Sequence, residues 1–140
     1  MFRKLLVPVD FTEKNDAALA SAIEIAAGND GAEVVLLHVI ETIEHIDFEE
    51  MADFYRGLET RAAAKLFGLE ERLTKSGVHA RHEIVYGKRA ETIVRYAEDQ
   101  GMDLLILSSH KVDREHPALG WGTISYRIAI VARCPVLLVK

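Results

Sequence analysis

Four short apolar runs constrain this chain more than any other feature. They are Leu5-Leu6-Val7-Pro8-Val9, Val34 to Ile40, Leu104 to Leu107 and Val136 to Val139. Side chains alternate across a strand, so a strand apolar at consecutive positions must be covered on both faces. Runs of this length, bounded by turn residues, read as buried strands of a parallel sheet sandwiched between helices. A fifth strand, weaker and loosely alternating, is expected over His79 to Val85, closed by Tyr86-Gly87.

Between the strands the period changes to that of a helix. Asn15 to Ala27 carries Ala18, Leu19, Ala22, Ile23, Ile25 and Ala26 at helical spacing and stops at Gly28-Asn29-Asp30-Gly31. Phe48, Met51, Tyr55, Leu58, Ala62, Leu66, Leu69 and Leu73 step by three or four, predicting a long amphipathic helix that ends at Ser76-Gly77. A third helix is expected over Ala90 to Gln100 and a fourth over about Gly122 to Ala132. The strict alternation of strand and helix demands right-handed crossovers and a doubly wound α/β sheet with helices on both faces. In such a sheet ligands bind beyond the carboxyl ends of the strands, where the winding direction switches. Asp10 to Thr12, Val39 to Glu41, Gly87-Lys88 and Ser108 to Lys111 occupy those ends.

With 140 residues, 49% hydrophobic and 28% charged, and with no linker, repeat or low-complexity segment, residues 1–140 are expected to form one domain. Seventeen basic against 22 acidic residues give a net charge of −5, which argues against nonspecific nucleic-acid binding. Cys134 has no intrachain disulfide partner, and no Cys/His cluster has zinc spacing. The apolar run after Met1-Phe2-Arg3-Lys4 is too short for a signal-peptide core, and no run is long enough to span a bilayer. These features predict a cytoplasmic protein.

The closing segment carries the most chemistry. A strand, the polar turn Ser108-Ser109-His110-Lys111 and a helix opening at Gly122-Thr123 form a pattern suited to anion binding, because helix N-terminal N–H groups and the helix dipole favour negative charge. Gly-Thr is equally a common helix cap. The intervening loop, Val112 to Gly120, balances Arg114 against Asp113 and Glu115, and Pro117 stiffens it; it reads as solvated surface. Trp121 packs that loop or faces a partner. Among the histidines, His38 ends an apolar strand and reads as a hydrogen-bonded, mostly buried side chain, while His45, His79 and His82 lie on polar stretches without a partner at ligand spacing. His116 reads as loop structure. No nucleophile elbow, paired carboxylate motif or G-x-x-x-x-G-K-[ST] loop is present. Cys134, ahead of Pro135 at a strand entrance, reads as structural.

Six segments in order resemble the universal stress protein superfamily. They are Leu6-Val7-Pro8-Val9-Asp10-Phe11-Thr12, Leu36-Leu37-His38-Val39-Ile40, Val85-Tyr86-Gly87, Asp103-Leu104-Leu105-Ile106-Leu107, Gly122-Thr123-Ile124-Ser125 and Cys134-Pro135-Val136-Leu137-Leu138-Val139. The resemblance implies a five-stranded sheet of order 3-2-1-4-5 and a homodimer whose last strands, Val136 to Val139, pair antiparallel. Pairing would also protect an apolar edge, which a neighbouring element of the monomer could equally cover. It further implies ATP or a related adenine nucleotide, with or without Mg2+, and a regulatory protein partner not identified by sequence. Pro8 and Val39 match adenine-contacting positions, and Asp10 an adenine or ribose contact. Asp10 is equally suited to capping or turning into the first helix. Leu107, Ser108, His110, Lys111, Gly122, Thr123 and Ile124 complete the nucleotide site that the resemblance implies.

The ATP-binding branch of the family carries Gly, two residues, Gly, nine residues, then Gly followed by Ser or Thr. Here Ser108 and Lys111 replace the first two glycines, ten residues follow, and Gly122-Thr123 is kept. A non-glycine residue in a left-handed conformation costs on the order of 1 kcal/mol. A micromolar ligand binds with about 8 kcal/mol, so the substitutions alone do not forbid nucleotide. Lys111 could supply a cation for the phosphates. Two functions follow: a nucleotide-responsive dimeric stress protein, or a dimeric interaction module that has abandoned nucleotide. An electron-transfer nucleotide domain is a third, without a flavin signature. The resemblance allows at most weak ATP hydrolysis, and no base for it is specified here.

Overall fold

The computed structural model describes residues 1–109, 115 and 123–140. The described elements are, in chain order, β1 (Lys4–Pro8), α1 (Asn15–Ala27), β2 (Glu33–Ile40), α2 (Ala52–Lys75), β3 (His79–Tyr86), α3 (Arg89–Asp99), β4 (Leu104–Ser108), α4 (Ile124–Val131) and β5 (Val136–Val139). The five strands form one sheet in the order β3-β2-β1-β4-β5, and every pairing is parallel. This is the doubly wound α/β fold expected from the alternation of strand and helix.

The two-sided burial of the strands follows their pleat. Leu5 and Val7 of β1, with Val34, Leu36, Leu104 and Ile106, pack beneath Ala18, Leu19, Ala22, Leu66 and Leu73 of α1 and α2. Leu6, with Val35, Leu37, Val39, Leu105 and Leu107, faces Ile93, Tyr96, Ala97 and Ile128 of α3 and α4 on the opposite side. Alternate residues of one strand thus serve two separate cores.

Polar contacts tie the ends of the sheet. The Asp103 carboxylate accepts the N–H of Arg3 at 3.0 Å and of Lys4 at 3.1 Å, just ahead of β4 and β1. Arg81 of β3 pairs with Glu33 at the start of β2 at 3.0 Å. His82 of β3 pairs with Glu70 of α2.

Most bounds fall within one or two residues of expectation, and two of the differences have a clear physical cause. The helical spacing of α2 starts at Phe48, yet a 3-10 turn at Glu49–Met51 precedes the helix proper at Ala52. Phe48 keeps the periodicity because its ring stacks on that of Tyr55, seven residues on, at 4.9 Å between centroids. Ser108, expected in a turn, is the last residue of β4 and pairs in register with Val139, so the strand runs one residue further.

The sheet opens at its middle. β1 matches β2 over five positions, from Lys4↔Glu33 to Pro8↔Leu37, but matches β4 at only Leu5↔Leu104 and Leu6↔Leu105. Beyond those pairs, β1 stays with β2 through the Val9 N–H donated to Leu37 O at 2.8 Å. β4 stays with β5 through the Ser109 N–H donated to Val139 O, also at 2.8 Å. Backbone N–H groups alternate sides along a strand, so with Val9 facing β2, position 8 faces β4. Proline has no N–H to offer there. The β1–β4 ladder therefore ends where Pro8 begins, and a crevice opens at the switch point. Replacing Pro8→Val is expected to extend that ladder, so that the residue-8 amide exchanges with deuterium as slowly as that of Leu6. A rapidly exchanging amide at position 8 would show that the ladder ends for another reason.

Candidate functional site

The crevice holds a cavity of about 390 Å³, within the range of small-molecule sites. Leu37, Val39, Leu107, Ile93 and Ile128 supply apolar surface, and Asp10, Lys14, Asn15, Arg89, Ser108, Thr123 and Ser125 supply polar groups. Pro8 and Ile124 also line it. Seven residues singled out from sequence therefore meet in one cavity: Pro8, Asp10, Val39, Leu107, Ser108, Thr123 and Ile124. His110, Lys111 and Gly122 lie outside the described residues, as do Trp121 and, apart from Glu115, the loop Val112 to Gly120.

The loop from β1 to α1 is built on Asn15. Its side chain is only 5% exposed although polar. Its Oδ1 accepts the N–H of Asp10 at 3.0 Å and of Phe11 at 2.9 Å, while its Nδ2 donates to Ser108 Oγ at 3.2 Å. One amide thus satisfies two loop donors and reaches across the crevice to the end of β4. Phe11 sits at φ +66°, a left-handed conformation that costs a non-glycine residue about 1–2 kcal/mol. Its ring is held by His38, at 4.4 Å between centroids, and by the Lys65 ammonium 5.1 Å from its centre. His38 Nδ1 in turn donates to Val9 O at 2.8 Å, which places the proton on that nitrogen.

Asp10 makes a turn rather than a cap. Its Oδ1 accepts the Thr12 N–H at 3.0 Å and the Thr12 hydroxyl at 2.7 Å, while Lys14 occupies the N-cap position of α1. Partial burial alone would push the Asp10 carboxyl up. The hydrogen bonds from Thr12 and the charge of Arg89 outweigh it and hold the group below its ordinary 3.8. Asp10 is therefore a carboxylate at neutral pH, an acceptor at the cavity rim.

Arg89 is a functional candidate not identified from sequence. It opens α3, lines the cavity and pairs with Glu41, just past β2, at 3.1 Å. Gly87 sets this turn: φ is +149°, and a Cβ there would press into the Thr92 hydroxyl. The available signal was a cation two residues beyond a glycine at a strand's carboxyl end. Lys14 and Asn15 also line the cavity without a signal in the sequence, where Asn15 marks only the start of a helix.

Across the crevice, Thr123 occupies the N-cap position of α4 with extended backbone, and its side chain makes no cap hydrogen bond. Its Oγ1 lies 3.3 Å from Ser125 Oγ, which donates to Ser109 Oγ at 3.4 Å. The first turn of α4 so presents hydroxyls and backbone to the cavity, an arrangement that favours an anion. The cavity combines an apolar wall, a carboxylate, two cations and a helix N-terminus, which suits a flat heteroaromatic group bearing polar, anionic substituents. No group of three His, Cys, Asp or Glu residues among those described is placed to hold a metal ion. The half-buried Cys134 thiol is pushed up by burial, leaving little nucleophilic thiolate at neutral pH.

The model of the universal stress protein family matches residues 1–140, and the chain belongs to that family. It is 29% identical to universal stress protein MJ0577 of Methanocaldococcus jannaschii, over all of this chain and 96% of that protein. The solved structure of MJ0577 superposes with a TM-score of 0.81, covering 100% of this chain and 97% of the other. The fold is shared, at 17% identity, with a universal stress protein from Archaeoglobus fulgidus solved in complex with dAMP, with a TM-score of 0.70 and full coverage of both chains. At the same identity it is shared with a universal stress protein solved in complex with cAMP, with a TM-score of 0.72 and 99% and 97% of the chains covered. No helix among the described residues is long and apolar enough to cross a membrane.

The Asp10 turn generates a test. A carboxyl held below 3.8 in the folded state stabilises the fold above that pH, and the contribution is lost as pH falls through its lowered value. An NMR titration of the Asp10 carboxyl is expected to give a midpoint below 3.8, and Thr12→Val is expected to raise it. An unmoved midpoint in the variant would remove the Thr12 hydroxyl as the cause.

Proposed function

We propose that this chain is a nucleotide-responsive stress protein that binds ATP or a related adenine nucleotide at the β1–β4 switch point. The observation that carries the reading is the cavity, where apolar Val39 and Leu107 face the rim groups Asp10 and Arg89 and the start of α4. The adenine would lie against the apolar wall, with Asp10 accepting from its amino group or from ribose. The phosphates would lie toward Thr123 and the α4 N-terminus. The dAMP and cAMP complexes of two proteins of this fold support an adenine nucleotide as the ligand class. Lys111 would add a cation where the ATP-binding branch has glycine. Mg2+ would accompany a triphosphate.

The same reading makes the protein a homodimer through β5. Its support is an apolar edge: Ile130 is 79% exposed, Val131 59% and Leu137 36%, on α4 and the outermost strand. An unpaired apolar edge strand is prone to add another strand. Nucleotide occupancy would then alter the surface offered to a regulatory partner.

A second reading has one observation in its favour. Ser108 closes β4 with its hydroxyl engaged by Asn15, where the ATP-binding branch carries a glycine. On that reading the crevice is empty in the cell and the protein acts through protein contacts alone.

Thermal unfolding with millimolar ATP and Mg2+, ADP, dAMP or cAMP separates the two. A ligand at a hundred times its Kd stabilises the fold by about 2.7 kcal/mol, a rise of several degrees in Tm for a domain of this size. Such a shift with at least one adenine nucleotide, and its release from freshly purified protein on denaturation, are the expected outcomes. No shift and no released nucleotide would leave the interaction module as the function. A Lys111→Gly variant that alone gains ATP affinity would show that the native turn disfavours nucleotide. For the dimer, sedimentation is expected to give two copies, and Leu137→Lys to give one.

A further inference from the structure

A second apolar surface lies at the opposite edge of the sheet from β5. Ile43, Ile46, Phe48 and Phe54, on and just after the connection from β2 to α2, are each between 43% and 48% exposed. They do not hang loosely from a loop. Phe48 stacks on Tyr55 and meets Tyr86 edge-on at 5.4 Å, and Phe54 meets Tyr55 at 5.6 Å. Tyr55 is 2% exposed, and its hydroxyl accepts the Ile43 N–H at 2.8 Å. Tyr86 closes the edge strand β3, and its hydroxyl donates to Glu59 at 2.6 Å. The exposed rings therefore stand on a buried aromatic base that limits their rotamers, which lowers the entropy cost of binding.

The segment that carries most of these side chains is acidic. Residues 41–53 carry six carboxylates and neither lysine nor arginine, against a net charge of −5 for the whole chain. Glu41, Glu44 and Asp53 pair with Arg89, Lys88 and Arg56. Asp47, Glu49 and Glu50 make no ion pair among the described residues, so their charge is available to an incoming group.

We propose that this surface docks a basic amphipathic segment of a partner protein. Its apolar side chains would cover Phe48, Phe54, Ile43 and Ile46, and its Lys or Arg residues would meet Asp47, Glu49 and Glu50. Charge selects this occupant among the alternatives. A second copy placed symmetrically here would bring like charges together. Anionic lipid and nucleic acid are repelled for the same reason. An amphipathic helix with apolar residues three or four apart and basic flanks satisfies both the rings and the rim. The surface stands on its own observations and does not depend on the nucleotide reading.

The test is a selection of displayed random peptides on the purified full chain, with counter-selection on a Phe48→Ser, Phe54→Ser double variant. The recovered sequences are expected to be rich in Lys or Arg, with apolar residues at three- and four-residue spacing. A synthetic peptide of the recovered sequence is expected to lose at least tenfold in affinity on the double variant. The same loss is expected on a Glu49→Lys, Glu50→Lys variant, which leaves the aromatic base intact, and binding to the native chain should weaken as salt is raised. Recovery of no sequence that discriminates the native chain from the double variant would overturn the proposal. So would recovery of acidic or uncharged sequences, undiminished binding to the charge-reversed variant, or self-association of the native chain abolished by Phe48→Ser, Phe54→Ser.

Discussion

The missing N–H of Pro8 is the constraint on which the architecture of the site depends. All five strands pair in parallel, with helices covering both faces, so nothing in the apolar pattern itself would open the sheet. At position 8 the β1 backbone has nothing to donate toward β4, and the two strands turn to their outer neighbours instead. The gap that results is the cavity. Its apolar wall consists of residues that would otherwise be ordinary core, and its polar rim consists of the loops released where the ladder stops.

What keeps the gap from collapsing is a second set of contacts. Asn15 grips the loop after β1 and the last side chain of β4 with one amide. The left-handed Phe11 is tolerated because His38 and Lys65 enclose its ring. A strained residue of this kind persists only where the surrounding contacts over-determine its conformation.

The strands and helices were legible from hydrophobic period alone, and α1 and β5 have the bounds that their patterns indicate. Fold class and strand order follow from the alternation of elements together with the family resemblance. The start of α2 was not legible, because ring stacking of Phe48 on Tyr55 continues the helical spacing where the backbone is already a 3-10 turn. At Ser108 a polar residue after an apolar run predicts the end of a strand, but pairing opposite Val139 carries the strand through it. The roles of Asn15 and Arg89 are hidden for a different reason. Their roles depend on contacts with Ser108 and Glu41, residues distant in the chain, and local patterning holds no record of such contacts.

The two-sided burial of the strands has a consequence for the fidelity of assembly. In a sheet with one wet face, a slip of one residue turns every apolar side chain into water, so the error corrects itself. β1 and β2 have no wet face: a slipped β1 would present Leu6 where Leu5 or Val7 belongs and lose little burial. Alignment must then be read from the ends of the strands rather than from their middles. The Asp103 carboxylate, holding the N–H groups of Arg3 and Lys4, and the Glu33–Arg81 ion pair between β2 and β3 sit at those ends. These exposed polar contacts add little to stability as individual bonds. Their worth lies in telling one alignment of a nearly degenerate sheet from the next.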